Sequence, residues 1–158
     1  MTTTEHAAEI RTALKKRGWN SRHVSVKSDC YSLGSAIRVT VKDPSINIED
    51  VQQIAEPHEC IHRCEITGEI LGGGNRYVDV SYSSEALAVR SARYLPAVTE
   101  AAEKLAKTSE NSLSCIEGTK YLLGKNQYDR YSLWSDTHLA ECYDLAGIAR
   151  EIAYRVRG

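Results

Sequence analysis

The chain has 158 residues and a mass of 17.6 kDa, with 42% hydrophobic residues, 26% charged residues and a net charge of −1. That composition fits a single domain with an ordinary core and excludes long-range disorder and a collagen-like repeat. No apolar run approaches the ~20 residues that a membrane helix needs, and the opening Met1-Thr2-Thr3-Thr4-Glu5-His6 lacks the basic-then-apolar order of a signal peptide.

Thr4 to Arg17 has the spacing of an amphipathic helix, with Thr4 as its N-cap and Ala7, Ile10 and Leu14 on one face. The basic end Lys15-Lys16-Arg17 suits the negative pole of the helix dipole, and Gly18 is the stop. His23–Ser28 and Ala36–Lys42 alternate as strands, with Ser28 to Ser35 as the connecting loop. Paired as a hairpin, the two strands would display His23, Lys27, Arg38 and Lys42 on an outer face. Asp43-Pro44-Ser45 is a turn. Asn47 is placed to cap a short helix ended by Pro57. Cys60 to Leu71 and Arg76 to Ser83 are then expected as strands around the turn Gly72-Gly73-Gly74-Asn75.

The order αββαββ over residues 4–83 predicts an α+β fold, a sheet with both helices on one face. Within the same single domain, residues 84–158 add an extension. It comprises a helical region from Ser84 to Lys107 that either kinks at Pro96 or breaks there into two helices, a loop over Thr108–Ser114, and a small hairpin within Lys120–Ser135. A last helix follows, capped by Asp136 and running to Val156. Nine Tyr, two Trp and no Phe place several tyrosines at the edge of the core or in an interface. Five cysteines, an odd number without an export signal, read as reduced thiols in a cytoplasm.

The near-neutral total hides an asymmetry. Between Ile10 and Lys42 the basic residues Arg11, Lys15, Lys16, Arg17, Arg22, Lys27, Arg38 and Lys42 face the single acid Asp29, so the rest of the chain is correspondingly acidic. Lys15, Lys16, Arg17, Arg22, Lys27, Arg38 and Lys42 are the candidate binding face, with Trp19 and Tyr31 as aromatic contacts. Such residues suit a phosphate backbone, and the charge split can attract a polyanion to one end of the molecule. Neutralisation by the acidic half is the competing explanation. Glu100, Glu103, Glu110 and Glu117 offer the opposite possibility, mimicry of nucleic acid in a basic groove, against the simpler reading of a solvated surface.

His58, Cys60, His62 and Cys64 would share one strand face, and all four are zinc-type ligands. Even spacing along one strand sets neighbours ~6.6–7 Å apart, too far to close a tetrahedron without ligands such as Cys30 or Cys115 from elsewhere. The paired short-spacing signature is also missing, so a core role for Cys60 and Cys64 is preferred and no cofactor is implied. Gly72-Gly73-Gly74-Asn75 lacks the ending of a phosphate loop, and Ser114, Asp136 and His138 lie in no nucleophile-elbow motif.

The first half resembles a family among the large polyvalent protein-associated domains of phages and conjugative plasmids. The residues that carry the likeness are Ile10-Arg11-Thr12-Ala13-Leu14 in the opening helix and the run Val24-Ser25-Val26-Lys27-Ser28-Asp29-Cys30-Tyr31-Ser32-Leu33-Gly34-Ser35-Ala36-Ile37-Arg38-Val39. A later strand, Asn75-Arg76-Tyr77-Val78-Asp79-Val80, is also similar. Leu33 stands where that family has a second small loop residue, and the half from Ser84 onward has no counterpart in it. The resemblance carries no catalytic motif. It implies a protein of a mobile genetic element that acts inside a bacterial host by binding a host protein or nucleoprotein complex, in the manner of anti-defence or anti-CRISPR proteins. Direct nucleic-acid binding through residues 10–42, and a metal-dependent enzyme built on residues 58–64, are the alternative expectations.

Overall fold

The computed structural model describes residues 1–108, 112–116 and 119–156. The fold is α+β, and the chain forms two compact units, Met1–Ala86 and Leu87–Gly158.

The first unit opens with α1, Thr3–Lys16. Its cap is Thr2 rather than Thr4: the Thr2 hydroxyl accepts the Glu5 N–H, and the Glu5 carboxylate accepts the Thr2 N–H at 2.6 Å. That reciprocal capping box satisfies two orphan donors, which a cap at Thr4 would leave open. Strands β1 (Val24–Tyr31) and β2 (Gly34–Val41) form an antiparallel hairpin. The expected loop from Ser28 to Ser35 shrinks to the two residues Ser32 and Leu33. After α2 (Ile48–Ala55) and a short turn of 3-10 helix at Glu56–His58, β3 (Asn75–Tyr82) lies parallel to β2, giving a mixed sheet ordered β1-β2-β3.

Register fixes the two faces of this sheet. Val24 and Val26, then Ile37, Val39 and Val41, then Val78, Val80 and Tyr82 fall on the face that packs beneath α1 and α2. Ile10, Leu14, Ile37, Val39, Val41 and Val51 are almost wholly buried there. Asn47 precedes α2 as expected, but its side chain makes no capping bond. The buried Tyr82 hydroxyl instead accepts the Ile48 N–H at 3.0 Å and donates to the Ile46 carbonyl at 2.9 Å.

The strand expected over Cys60–Leu71 does not form. Cys60 pairs with Arg76 and Arg63 with Ile70 as isolated bridges. Among the described residues nothing covers the segment around Ile66, which is 94% exposed, and Ile70 and Leu71 are about half exposed. Alternation with no second layer to bury one face does not sustain a strand. The excursion is held instead by buried Asn75, whose amide accepts the His62 N–H at 2.8 Å and donates to the Leu71 carbonyl at 2.7 Å.

The helix α3, Ser84–Thr108, runs unbroken through Pro96 and supplies most of its length to the second unit. The expected hairpin is the middle of a four-stranded antiparallel meander: β4 (Ser112–Ile116), β5 (Thr119–Lys125), β6 (Tyr131–Trp134) and β7 (His138–Cys142). β4 takes part of the span expected as loop, whose residues 109–111 lie outside the described residues. β7 takes the residues expected to begin the last helix, so α4 starts later, at Leu145–Arg155, with Asp144 rather than Asp136 as its cap. Tyr94, Val98, Leu123, Leu133, Ile148 and Ile152 lie at the centre of the second core.

Candidate functional site

The sequence-predicted basic residues are placed in two groups by the sheet between them. Lys15, Lys16 and Arg17 end α1, on the covered side. Lys27, Arg38 and Lys42 belong by register to the open side. Lys27 and Arg38 are direct cross-strand partners, an unfavourable pairing of like charges. Arg38 turns to Asp29 at 3.1 Å, and Lys42 donates to the Ser21 carbonyl at 3.2 Å. Arg22 is exposed in the turn before β1, its N–H bonded to the Asn20 side chain. The seven cations therefore do not form one surface. Trp19 and Tyr31 are likewise apart, near opposite ends of β1, a strand roughly 23 Å long. Glu100 and Glu103 lie on α3, with Glu100 paired to Lys104 at 2.8 Å; Glu110 and Glu117 lie outside the described residues.

Two cations from the two sides do meet. Lys15 and Lys27 line a groove of about 340 Å³ between the end of α1 and the outer edge of β1. Its construction follows from the helix stop. Gly18 adopts φ +85°, a conformation that costs glycine little, and the N–H groups of Trp19 and Gly18 bond back to the Leu14 and Lys15 carbonyls at 3.0 and 2.9 Å. This Schellman closure brings Trp19 back toward Leu14. Leu14, Trp19, Val24 and Val26 are the apolar lining; Arg11, Lys15 and Lys27 bring positive charge, and no acidic side chain lines the groove.

The wall formed by β1 is a sheet edge. Arg11 donates to the Val26 carbonyl at 2.7 Å, so Val26 directs its backbone away from β2. By alternation Ser28 and Cys30 do the same, and among the described residues nothing bonds their outward N–H and C=O groups. Such an edge is a template for another extended chain.

The alternative cluster over residues 58–64 does not come together among the described residues, and Cys60 and Cys64, preferred as core residues, are only half-buried. Cys60 Sγ and His62 Nε2 stand 3.9 Å apart, while Cys64 caps its own turn through the Gly68 N–H. The side chain of Cys115 lies outside what is described, as does that of Ser114. His58 is drawn elsewhere. Its Nδ1 lies 3.0 Å from Nδ1 of His6 on α1, and Glu9, one turn along the same helix, brings Oε2 to 4.0 Å from His6 and 3.7 Å from His58. Sequence reasoning missed this group, although the His6-x-x-Glu9 spacing on one helix face was a usable signal. Burial, then the charges of Arg76 and His58, push the His6 pKa down, favouring the neutral imidazole.

Cys30, Cys60, Cys64 and Cys142 are free thiols. The Thr67 hydroxyl and nearby backbone N–H groups hold the Cys64 thiol below its usual value, whereas burial pushes the Cys142 thiol up. Because the thiolate is the nucleophile, iodoacetamide near neutral pH is expected to alkylate Cys64 well before Cys142. Time-resolved peptide mass spectrometry checks the order; equal rates would contradict it.

No protein family, curated protein or solved structure matches the chain.

Proposed function

We propose that this is a non-enzymatic binding protein whose first unit takes an extended acidic segment of a partner protein along the open edge of β1. The observation that carries this reading is the groove between α1 and β1, lined by cations without an acid and apolar within, with the outward Ser28 and Cys30 backbone groups next along the same edge. Main-chain bonds to the Ser28 and Cys30 edge would supply ~0.5–1.5 kcal/mol each, alternate apolar side chains would enter beside Trp19, and acidic ones would meet Arg11, Lys15 and Lys27. The resemblance of the first half to a phage and plasmid domain family favours a bacterial host protein, free or within a nucleoprotein complex, as that partner. Pairing of Arg38 with Asp29 and of Lys42 with a backbone carbonyl leaves fewer free cations for a phosphate backbone, which weighs against nucleic acid.

The test is fluorescence anisotropy with a labelled peptide of alternating aspartate and valine, against a lysine–valine control and a DNA duplex. The acidic peptide should bind and the basic one should not. Ser28→Pro removes an outward N–H that β2 does not use, so the hairpin is retained while binding falls at least ~10-fold. Lys15→Glu combined with Lys27→Glu should cause a similar fall. Binding unaffected by both changes would overturn the proposal. So would a preference for the duplex that collapses with added salt, the signature of backbone contacts in nucleic acid.

A further inference from the structure

We propose that His6, Glu9 and His58 form a binding site for a divalent transition-metal ion, zinc above all, that ties the start of α1 to the turn after α2. Two imidazole nitrogens and one carboxylate oxygen are a zinc-type donor set, and zinc takes all three at ~2.0–2.2 Å. The three atoms are separated by 3.0, 3.7 and 4.0 Å. A point equidistant from the corners of that triangle lies about 2.1 Å from each, which is a zinc–ligand distance without any rearrangement of the backbone. Among the described residues this is the one place where three such donors converge.

The supporting elements hold the donors from opposite directions. His6 and Glu9 are one turn apart on α1, so both side chains leave the same helix face. His58 ends the 3-10 turn that follows α2, and its carbonyl accepts a bond from Arg76 Nε at 2.6 Å, which fixes its backbone to β3. The two histidine side chains are largely buried, 16% and 19% exposed, whereas Glu9 is 55% exposed. The ion therefore has a solvent path on the glutamate side, where water would complete the coordination.

Without metal, the close contact of the two Nδ1 atoms requires one ring to donate and the other to accept. Metal replaces that shared proton: the donor ring loses its Nδ1 proton and takes one on Nε2 from solvent, so both rings stay neutral and both Nδ1 lone pairs reach the ion. Arg76 acts in two directions. Its charge opposes a cation nearby, and it also disfavours the imidazolium form of His6 that would compete with metal. Glu9 supplies the compensating negative charge.

The experiment uses the full chain stripped with chelator and titrated with zinc chloride. One equivalent should bind, and the thermal midpoint should rise with free zinc concentration, as mass action requires for an ion that binds the folded state. His58→Gln and His6→Gln should each weaken binding at least ~100-fold, more than the ~10–100-fold typical of residues that only support a ligand. Cys60→Ser with His62→Gln should leave binding unchanged. Nitrogen NMR of the unsubstituted protein gives a readout independent of variant folding: zinc should shift Nδ1 of both His6 and His58. Unmoved Nδ1 signals at stoichiometric zinc would overturn the proposal. So would zinc binding that survives both histidine substitutions, or cobalt substitution giving a strong thiolate charge-transfer band.

Discussion

Arg90→Met is expected to destabilise the second unit by about 2–4 kcal/mol, the loss that follows when two buried carbonyls keep their burial and lose a charged donor. Arg90 is only 2% exposed. Its Nε donates to the Ala153 carbonyl at 3.1 Å and its Nη2 to the Val156 carbonyl at 2.6 Å. Those oxygens belong to the last turn of α4 and to its C-cap Val156, where helix carbonyls run out of intrahelical partners and the helix dipole is negative. A guanidinium supplies several donors in a planar fork, so one side chain satisfies both. Lysine has a single ammonium centre and should recover less than half of the loss. Methionine matches the length but leaves both acceptors dry. Urea unfolding followed by circular dichroism should show a lower midpoint, and hydrogen exchange should assign the loss to the amides of α4. An unchanged midpoint, or weakened protection confined to residues 1–86, would refute the assignment.

Gly34→Val is expected to cost roughly 1–3 kcal/mol through overpacking against backbone. A Cβ built on Gly34 would stand 2.6 Å from the Asn75 carbonyl oxygen, closer than real side-chain carbons approach. Gly34 pairs with Tyr31 on one side and Asn75 on the other, so either the hairpin end or the start of β3 must shift. Displacing Asn75 also disturbs its amide bonds to His62 and Leu71, which hold the excursion between Cys60 and Gly74. The distinctive result is faster proteolysis within residues 61–74 than in β1 or β2. Uniform destabilisation without that local sensitivity would mean that the close contact is relieved elsewhere. Alanine at the same position tests the contact with the smallest side chain, and should fall between glycine and valine.

Legibility varied by element for physical reasons. Helix α1 and the β1–β2 hairpin were readable because their apolar periods are strong and their stop signals local: Gly18 ends one, and Val24, Val26, Ile37, Val39 and Val41 alternate in the other. The meander of the second unit was read only in part. β7 holds His138, Leu139 and Cys142 in a register with one irregularity, and its stretch matches a helix start as well as a strand. The supposed strand over Cys60–Leu71 failed for the opposite reason: its alternation was real, but among the described residues no layer buries one side of it, and Ile66, Ile70 and Leu71 stay exposed.

The candidate sites follow the same division. Local chemistry determined which cations, aromatics and histidines were available, and Gly18 determined where the opening helix would stop. Only the tertiary structure decided which of them meet. It separated Lys16, Arg17 and Arg38 from a common surface, brought Lys15 and Lys27 to one groove, and set His58 beside His6 across fifty-two positions of sequence. A residue's own neighbours set its backbone preference within a few positions. Convergence of side chains distant in sequence depends on how helices and strands pack to bury their apolar faces, and that packing is a property of the whole unit.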